Sequence, residues 1–256
     1  MRVILPILVC VLCAGIILVT DTNIDGFLMG NAAAQWLPPF LWAGITNLGN
    51  TLGAFCLVAP TLAWRPRWTA AALLAVPFGS LYTHAIKRWG DLPRPAAILP
   101  PETFHVIDST LLKHSFPSGH ALTAFVAVGI LVFCSQRRLA WLALPIAMLV
   151  AFSRIAVGAH WPLDLLAGAV GGWATAAVGC ALSARWRFWE NVRGQRILAG
   201  IALICVPFFF FEDTKYPRGI WMQHLLCAIG LLGALYALWR PAVSRTQNLT
   251  CPSQNA

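Results

Sequence analysis

The chain has 256 residues, 59% of them hydrophobic and 11% charged, with a mean hydropathy of +0.71. A water-facing domain carries about a quarter of its residues as charges, so a soluble enzyme, a disordered chain and a disulfide-stapled secreted fold are excluded. The formal charge of +9 does not point to nucleic acid, because the Lys and Arg residues form short clusters between apolar runs rather than one patch.

Apolar runs long enough to cross a bilayer are drawn at 3–20, 40–63, 68–86, 119–135, 139–157, 163–184, 196–211 and 219–239. They predict an all-α polytopic membrane bundle of eight helices. The first run follows Arg2 and lacks a small-x-small cleavage site before a polar mature domain, so it is read as an uncleaved helix. Residues 21–38 are expected to form an outer segment with an interfacial helix around Phe27 to Trp36. The run 196–211, which ends in Pro207 and Phe208 to Phe211, is the shortest and is read as a tilted or partial span. Every cysteine except Cys251 lies in or beside an apolar run, so even the Cys10–Cys13 pair is read as packing. All tryptophans except Trp173 fall near predicted span ends and are expected to act as an aromatic belt.

With a cytoplasmic N-terminus, Arg2, Arg65, Arg67, Arg137, Arg138, Arg185, Arg187, Arg193, Arg196, Arg240 and Arg245 are cytoplasmic, which is 11 of the 18 basic residues. All acids but Glu190 fall on the opposite side. The positive-inside rule therefore orients the chain and turns the long proline-rich segment 88–117 outward. The tail 241–256 is polar and expected in the cytoplasm, where the Asn248–Thr250 sequon would have no meaning.

Three clusters stand at the predicted outer ends of the middle helices. The first is Lys87 followed by Arg94-Pro95; the second is Pro117-Ser118-Gly119-His120; the third is Ser153-Arg154 followed by His160 and Asp164. Ionisable groups at membrane depth need partners or a ligand. Lysine and arginine bind phosphate oxygens through charge-assisted hydrogen bonds, and a helix N-terminus at Ser118 and Gly119 offers free N–H groups to an anion. Asp164, four residues after His160, can hold one imidazole nitrogen and leave the other as a nucleophile. His120 is then available as the acid for the leaving oxygen. The inventory calls for no metal and no cofactor, because three cations supply the charge that a metal would bring. His84, three residues before Lys87, is read as polar packing near the pocket.

These residues resemble the three-part signature of the type 2 phosphatidic acid phosphatase superfamily, over 87–164. The resemblance implies that Lys87, Arg94, Ser118, Gly119 and Arg154 cradle a phosphate, that His160 forms a phosphohistidine, that His120 is the general acid and that Asp164 supports His160. It also implies a six-helix phosphatase core, here residues 1–184; the additional helical pair in 185–240 departs from that pattern. The expected protein is a bacterial inner-membrane phosphatase with a periplasmic active site. Its substrate would be a lipid phosphate or pyrophosphate, such as undecaprenyl pyrophosphate, phosphatidylglycerol phosphate, phosphatidic acid or lipid A. A phosphotransferase that passes the phosphate to another lipid, and a transporter of anionic lipids, remain as alternatives, and the oligomeric state is left open.

Overall fold

The computed structural model describes residues 3–134 and 137–240. Arg2 and the tail 241–256, with its sequon, Cys251 and Arg245, lie outside the described residues. The elements in order are α1 (Ile4–Thr20), α2 (Asn23–Ala33), α3 (Pro39–Asn47), α4 (Thr51–Val58), α5 (Pro66–Gly90), α6 (Pro95–Ile98), α7 (Gly119–Phe133), α8 (Arg137–Ala156), α9 (Pro162–Trp186), α10 (Val192–Phe210) and α11 (Ile220–Trp239). The described residues contain no strand, so the all-helical expectation is borne out.

Five segments are long and apolar enough to cross a membrane singly, and two bent helix pairs raise that number to seven. Side chains such as Leu12, Leu142, Phe208 and Leu232 are exposed around the bundle, as they must be when lipid is the solvent. The chain is an integral membrane protein.

Three details differ from the sequence reading. The run 40–63 is not one straight helix but a pair bent by 72° at a break, the geometry of a broken span or a re-entrant loop. Asn50 causes the break, because its Oδ1 accepts the N–H groups of Leu52 at 2.8 Å and Gly53 at 3.2 Å and so starts a new helix. The run 196–211 is a full 19-residue helix, since Asn191 caps it early by accepting the Gly194 N–H at 2.6 Å; the short helix is instead α7, with 15 residues. The belt loses Trp42, Trp161 and Trp189, which are buried. Each has an acceptor for its indole N–H inside the protein, at Ala34, Pro93 and Ser183 respectively.

The centre of the bundle is α9, and its glycines explain why. In lipid, helices associate by close packing, which small residues permit. A Cβ on Gly168 would lie 2.5 Å from the Ser118 carbonyl oxygen, and one on Gly172 would collide with that of Leu122, both on or beside α7. Along the same helix, Gly179 meets the Ala71 carbonyl of α5 and Gly171 receives the Tyr82 ring of that helix. The α10–α11 pair packs against α3, α4 and the 59–63 turn.

Gly172→Ala should therefore lower the thermal midpoint in detergent, by an overpacking cost of about 1–3 kcal/mol. Gly200→Ala on α10, where a Cβ meets nothing within 4 Å, should leave the midpoint unchanged or raise it through helix propensity. Equal effects of the two substitutions would contradict the packing account.

Candidate active site

The site is assembled at one end of the bundle, where α5 and α8 finish and α7 and α9 begin. Its organising contact is the start of α9. Pro162 occupies the first turn and Asp164 the third helical position, from which its Oδ2 accepts the Trp161 N–H at 2.9 Å. The same oxygen lies 3.1 Å from His160 Nδ1 and accepts the Ser115 hydroxyl at 2.5 Å. His160 thus precedes the helix. Its contact with Asp164 comes from a carboxylate folded back over the helix start, not from two side chains on one helical face. Both residues are buried.

Arg94 fixes the tautomer. Its Nη1 lies 3.2 Å from His160 Nε2, and a guanidinium can only donate, so Nε2 carries the lone pair and Nδ1 carries the proton that Asp164 accepts. Arg94 also donates to the carbonyls of Lys113 at 2.8 Å, Ala159 at 2.9 Å and His114 at 3.3 Å. It ties the 88–117 segment to His160 as well as placing positive charge at the ring nitrogen.

Ser118 caps α7, its N–H donates to the Asp164 carbonyl at 3.0 Å, and its hydroxyl accepts the Ala121 N–H at 3.4 Å. A side-chain carbon on Gly119 would meet nothing within 4 Å, so the space above this helix start is open. That space belongs to a cavity of about 300 Å³ lined by Gly119, His120, Lys87, His84, Asn50 and Glu212, with Leu52, Phe55, Val76, Val126 and Ile130 forming an apolar extension. The Lys87 ammonium has no hydrogen-bond or ion-pair partner among the described residues. His84 lines the same cavity. Gly49, in the break of the second span, backs onto His120, where a Cβ would lie 2.8 Å from the His120 Cβ.

Arg154 is 2% exposed. Its Nη1 donates to the Thr46 hydroxyl and its Nη2 to the Tyr216 hydroxyl at 2.9 Å, while its Nε has no acceptor among the described residues. Thr46, Ser115 and Tyr216 were not among the residues singled out from the sequence. Neither was Asn31, whose buried amide bridges His105 to the carbonyls of Ile155 and Ala156 at the end of α8. Thr46 and Tyr216 lie 108 and 62 residues from Arg154, so no local spacing could have revealed them. Ser153, singled out beside Arg154, bonds instead to its own helix at the Val150 carbonyl.

Burial, followed by the charges of Arg94, Arg154 and Lys87, holds His160 well below the usual histidine range. Asp164 opposes this shift, but one carboxylate faces three cations. A neutral ring whose Nε2 carries a lone pair, shared here with Arg94 Nη1, is the form a nucleophile needs. Among the described residues, no three histidine, cysteine or carboxylate side chains gather where they could hold a metal ion.

Fold and centre together define an integral membrane protein with a buried cationic cluster built around a histidine. Residues 66–191 match the model of the PAP2 superfamily, and this part of the chain, which contains all eight residues singled out from the sequence, belongs to that family. The bacitracin transport permease protein BcrC of Bacillus licheniformis is 34% identical over 122 residues, or 48% of this chain and 51% of that protein. An undecaprenyl-diphosphatase of Sulfolobus acidocaldarius is 43% identical over 70 residues, or 27% of this chain and 34% of that protein. The crystal structure of Aquifex aeolicus LpxE superposes with a TM-score of 0.56 at 25% identity, covering 62% of this chain and 94% of that one. The chain spans about half or less of the length of these two curated relatives.

The depressed His160 is directly measurable. Its ring resonances should not move between pH 8 and pH 6 in a histidine-selective NMR titration. Because the unfolded chain binds this proton near pH ~6.5 and the folded one resists it, stability should decline as the pH falls below that value. A His160 midpoint at or above the unfolded value would contradict the assignment.

Proposed function

We propose that the chain is a membrane lipid phosphatase that removes a terminal phosphate from a lipid phosphomonoester or pyrophosphate through a phosphohistidine on His160. The observation that carries this reading is an imbalance of charge. Lys87, Arg94 and Arg154 converge with a single buried carboxylate, Asp164, which is already committed to His160, while the exposed Glu212 at the cavity wall accepts from Asn50 and the buried Arg154 Nε is left without an acceptor. A phosphate supplies the missing negative charge and acceptor oxygens. The apolar extension of the cavity is suited to a lipid chain, and the name of the Sulfolobus relative, an undecaprenyl-diphosphatase, agrees with a lipid diphosphate as substrate.

In this mechanism His160 Nε2 attacks phosphorus while the bond to the leaving oxygen breaks, and His120 gives that oxygen a proton. Lys87, Arg94, Arg154 and the N–H group of Gly119 at the start of α7 meet the charge on the phosphoryl oxygens as the bond loosens. Asp164 accepts the hydrogen bond from Nδ1–H, which keeps its proton, and its negative charge stabilises the ring as it becomes positive. Water then attacks the phosphohistidine, His120 takes its proton back, and phosphate leaves. The phosphotransferase alternative differs only in the acceptor. The transport alternative has no use for the His160–Asp164 pair.

The purified protein should release phosphate from one or more of these lipids in detergent, and should continue in excess EDTA, because side chains supply the positive charge. Loss of activity on chelation, restored by Mg²⁺ or Zn²⁺, would overturn the assignment of charge. His160→Ala should abolish both turnover and any acid-labile phosphoenzyme. His120→Ala should lower turnover about 10²- to 10⁴-fold yet still form phosphoenzyme from a substrate whose leaving group needs no proton. Phosphate trapped on His120 would reverse the two roles.

The split of basic residues supports a site on the periplasmic side of a bacterial inner membrane. Single cysteines in the 96–112 segment should then react with an impermeant maleimide in intact spheroplasts. Labelling only after lysis would place the site on the cytoplasmic side.

A further inference from the structure

The α10–α11 pair lies outside the matched residues 66–191, yet the link between its helices enters the cationic centre. Tyr216 sits in this link and is 2% exposed. Its hydroxyl accepts from Arg154 Nη2 at 2.9 Å, and its ring lies 5.1 Å from the guanidinium carbon. An arginine on a helix has a long, freely rotating stem, so one anchor leaves its plane undefined. Here two anchors come from separate elements, Thr46 of α3 at Nη1 and Tyr216 of the α10–α11 link at Nη2. With both terminal nitrogens gripped, the orientation of the unpartnered Nε is fixed.

The link is itself held on several sides. The Asn47 amide donates to the Gly219 carbonyl at 2.9 Å, and a Cβ on Gly219 would collide with the Ala43 carbonyl, so the turn is pressed onto α3. Arg218 pairs with the buried carboxylate of Asp108 at 3.4 Å and donates its backbone N–H to it at 3.2 Å, joining the link to the 88–117 segment. The Asn50 amide donates to Glu212 at 3.1 Å, and Glu212 stands in the cavity wall beside His120 and Lys87. These contacts place Tyr216 more firmly than a satellite hairpin would require.

We infer that the α10–α11 pair is a working part of the phosphate site and that Tyr216 is a positioning residue, which aims Arg154 at the phosphoryl oxygens. The inference rests on the phosphate-binding reading of the centre. Neutral acceptors suit this task, because a carboxylate at Nη2 would cancel the charge that the anion needs.

The test uses the full-length protein. Tyr216→Phe keeps the ring over Arg154 and removes only the hydroxyl. It should weaken inhibition by inorganic phosphate or vanadate, and raise KM, about tenfold, the size expected for one hydrogen bond to a charged group. The thermal midpoint should hardly move, and kcat should change less than KM. Tyr236→Phe, on the exposed face of α11, should change nothing. In an Arg154→Lys background, Tyr216→Phe should add no further loss, since the fork it orients is gone. A Tyr216→Phe protein with unaltered phosphate affinity would overturn the inference, as would one that loses thermal stability and affinity together with an additive effect on Arg154→Lys.

Direct binding of inorganic phosphate, followed by calorimetry, separates the inference from the reading beneath it. If the wild type binds phosphate in a Tyr216-dependent way but releases none from any lipid, the catalytic reading fails and this inference stands. If the wild type turns over and Tyr216→Phe is indistinguishable from it, only the inference fails. A wild type that binds no phosphate at all would overturn both.

Discussion

Three cations at one end of a membrane bundle, with one buried carboxylate among them, form the constraint to which the rest of the site answers. Taking a charge out of water is costly unless it is paired or hydrogen-bonded. The chain satisfies the two arginines of the site with neutral acceptors: the carbonyls of Lys113, His114 and Ala159 for Arg94, and the hydroxyls of Thr46 and Tyr216 for Arg154. Neutral acceptors lower the desolvation cost without cancelling the field. Acidic partners would have stabilised the empty protein more and left less attraction for an anion.

Asp164 is the exception, and it serves three neighbours through one oxygen. By accepting from Trp161 it starts α9, by accepting from His160 it sets the ring, and Ser115 restrains the carboxylate from the 88–117 segment. Local folding and chemistry are thus linked, because the carboxylate that begins the central helix also holds Nδ1 of His160 and leaves Nε2 as the lone-pair nitrogen beside Arg94. The same logic explains the depressed affinity of His160 for protons, since a ring surrounded by cations resists a further positive charge.

Much of this was legible in the sequence because it rests on local pattern. Each of the eight apolar runs contains a helix, and the ionisable residues between 87 and 164 stood out as groups that a bilayer does not tolerate without a role. What was illegible depends on contacts between distant segments. Thr46 and Tyr216 look like ordinary polar residues in apolar surroundings until α3 and the 211–219 link close over Arg154. Trp42, Trp161 and Trp189 fit a belt by position, but folding brings carbonyls to their indole N–H groups and buries them. The break at Asn50 was hidden because Leu52 through Val58 continue the apolar run, and hydropathy does not record a cap. Pro207 and the phenylalanines after it made α10 look short, whereas its early start depends on the Asn191 side chain.

The glycine contacts between α7 and α9 also bear on how the site can move. Gly168 and Gly172 leave no gap between the two backbones, and the Ser118 N–H bonds to the Asp164 carbonyl across them. The helix start that faces the cavity and the His160–Asp164 pair therefore form one stiff body. Whatever breathing admits a bulky molecule must come from the other walls: α4 beyond the break at Gly49, the end of α5 that carries Lys87, and the segments tied together by Asp108 and Arg218. The Thr51 hydroxyl of α4 meets that of Thr123 on α7 at 3.3 Å and Arg218 pairs with Asp108 at 3.4 Å, side-chain contacts that can part while the geometry around the reactive nitrogen stays constant.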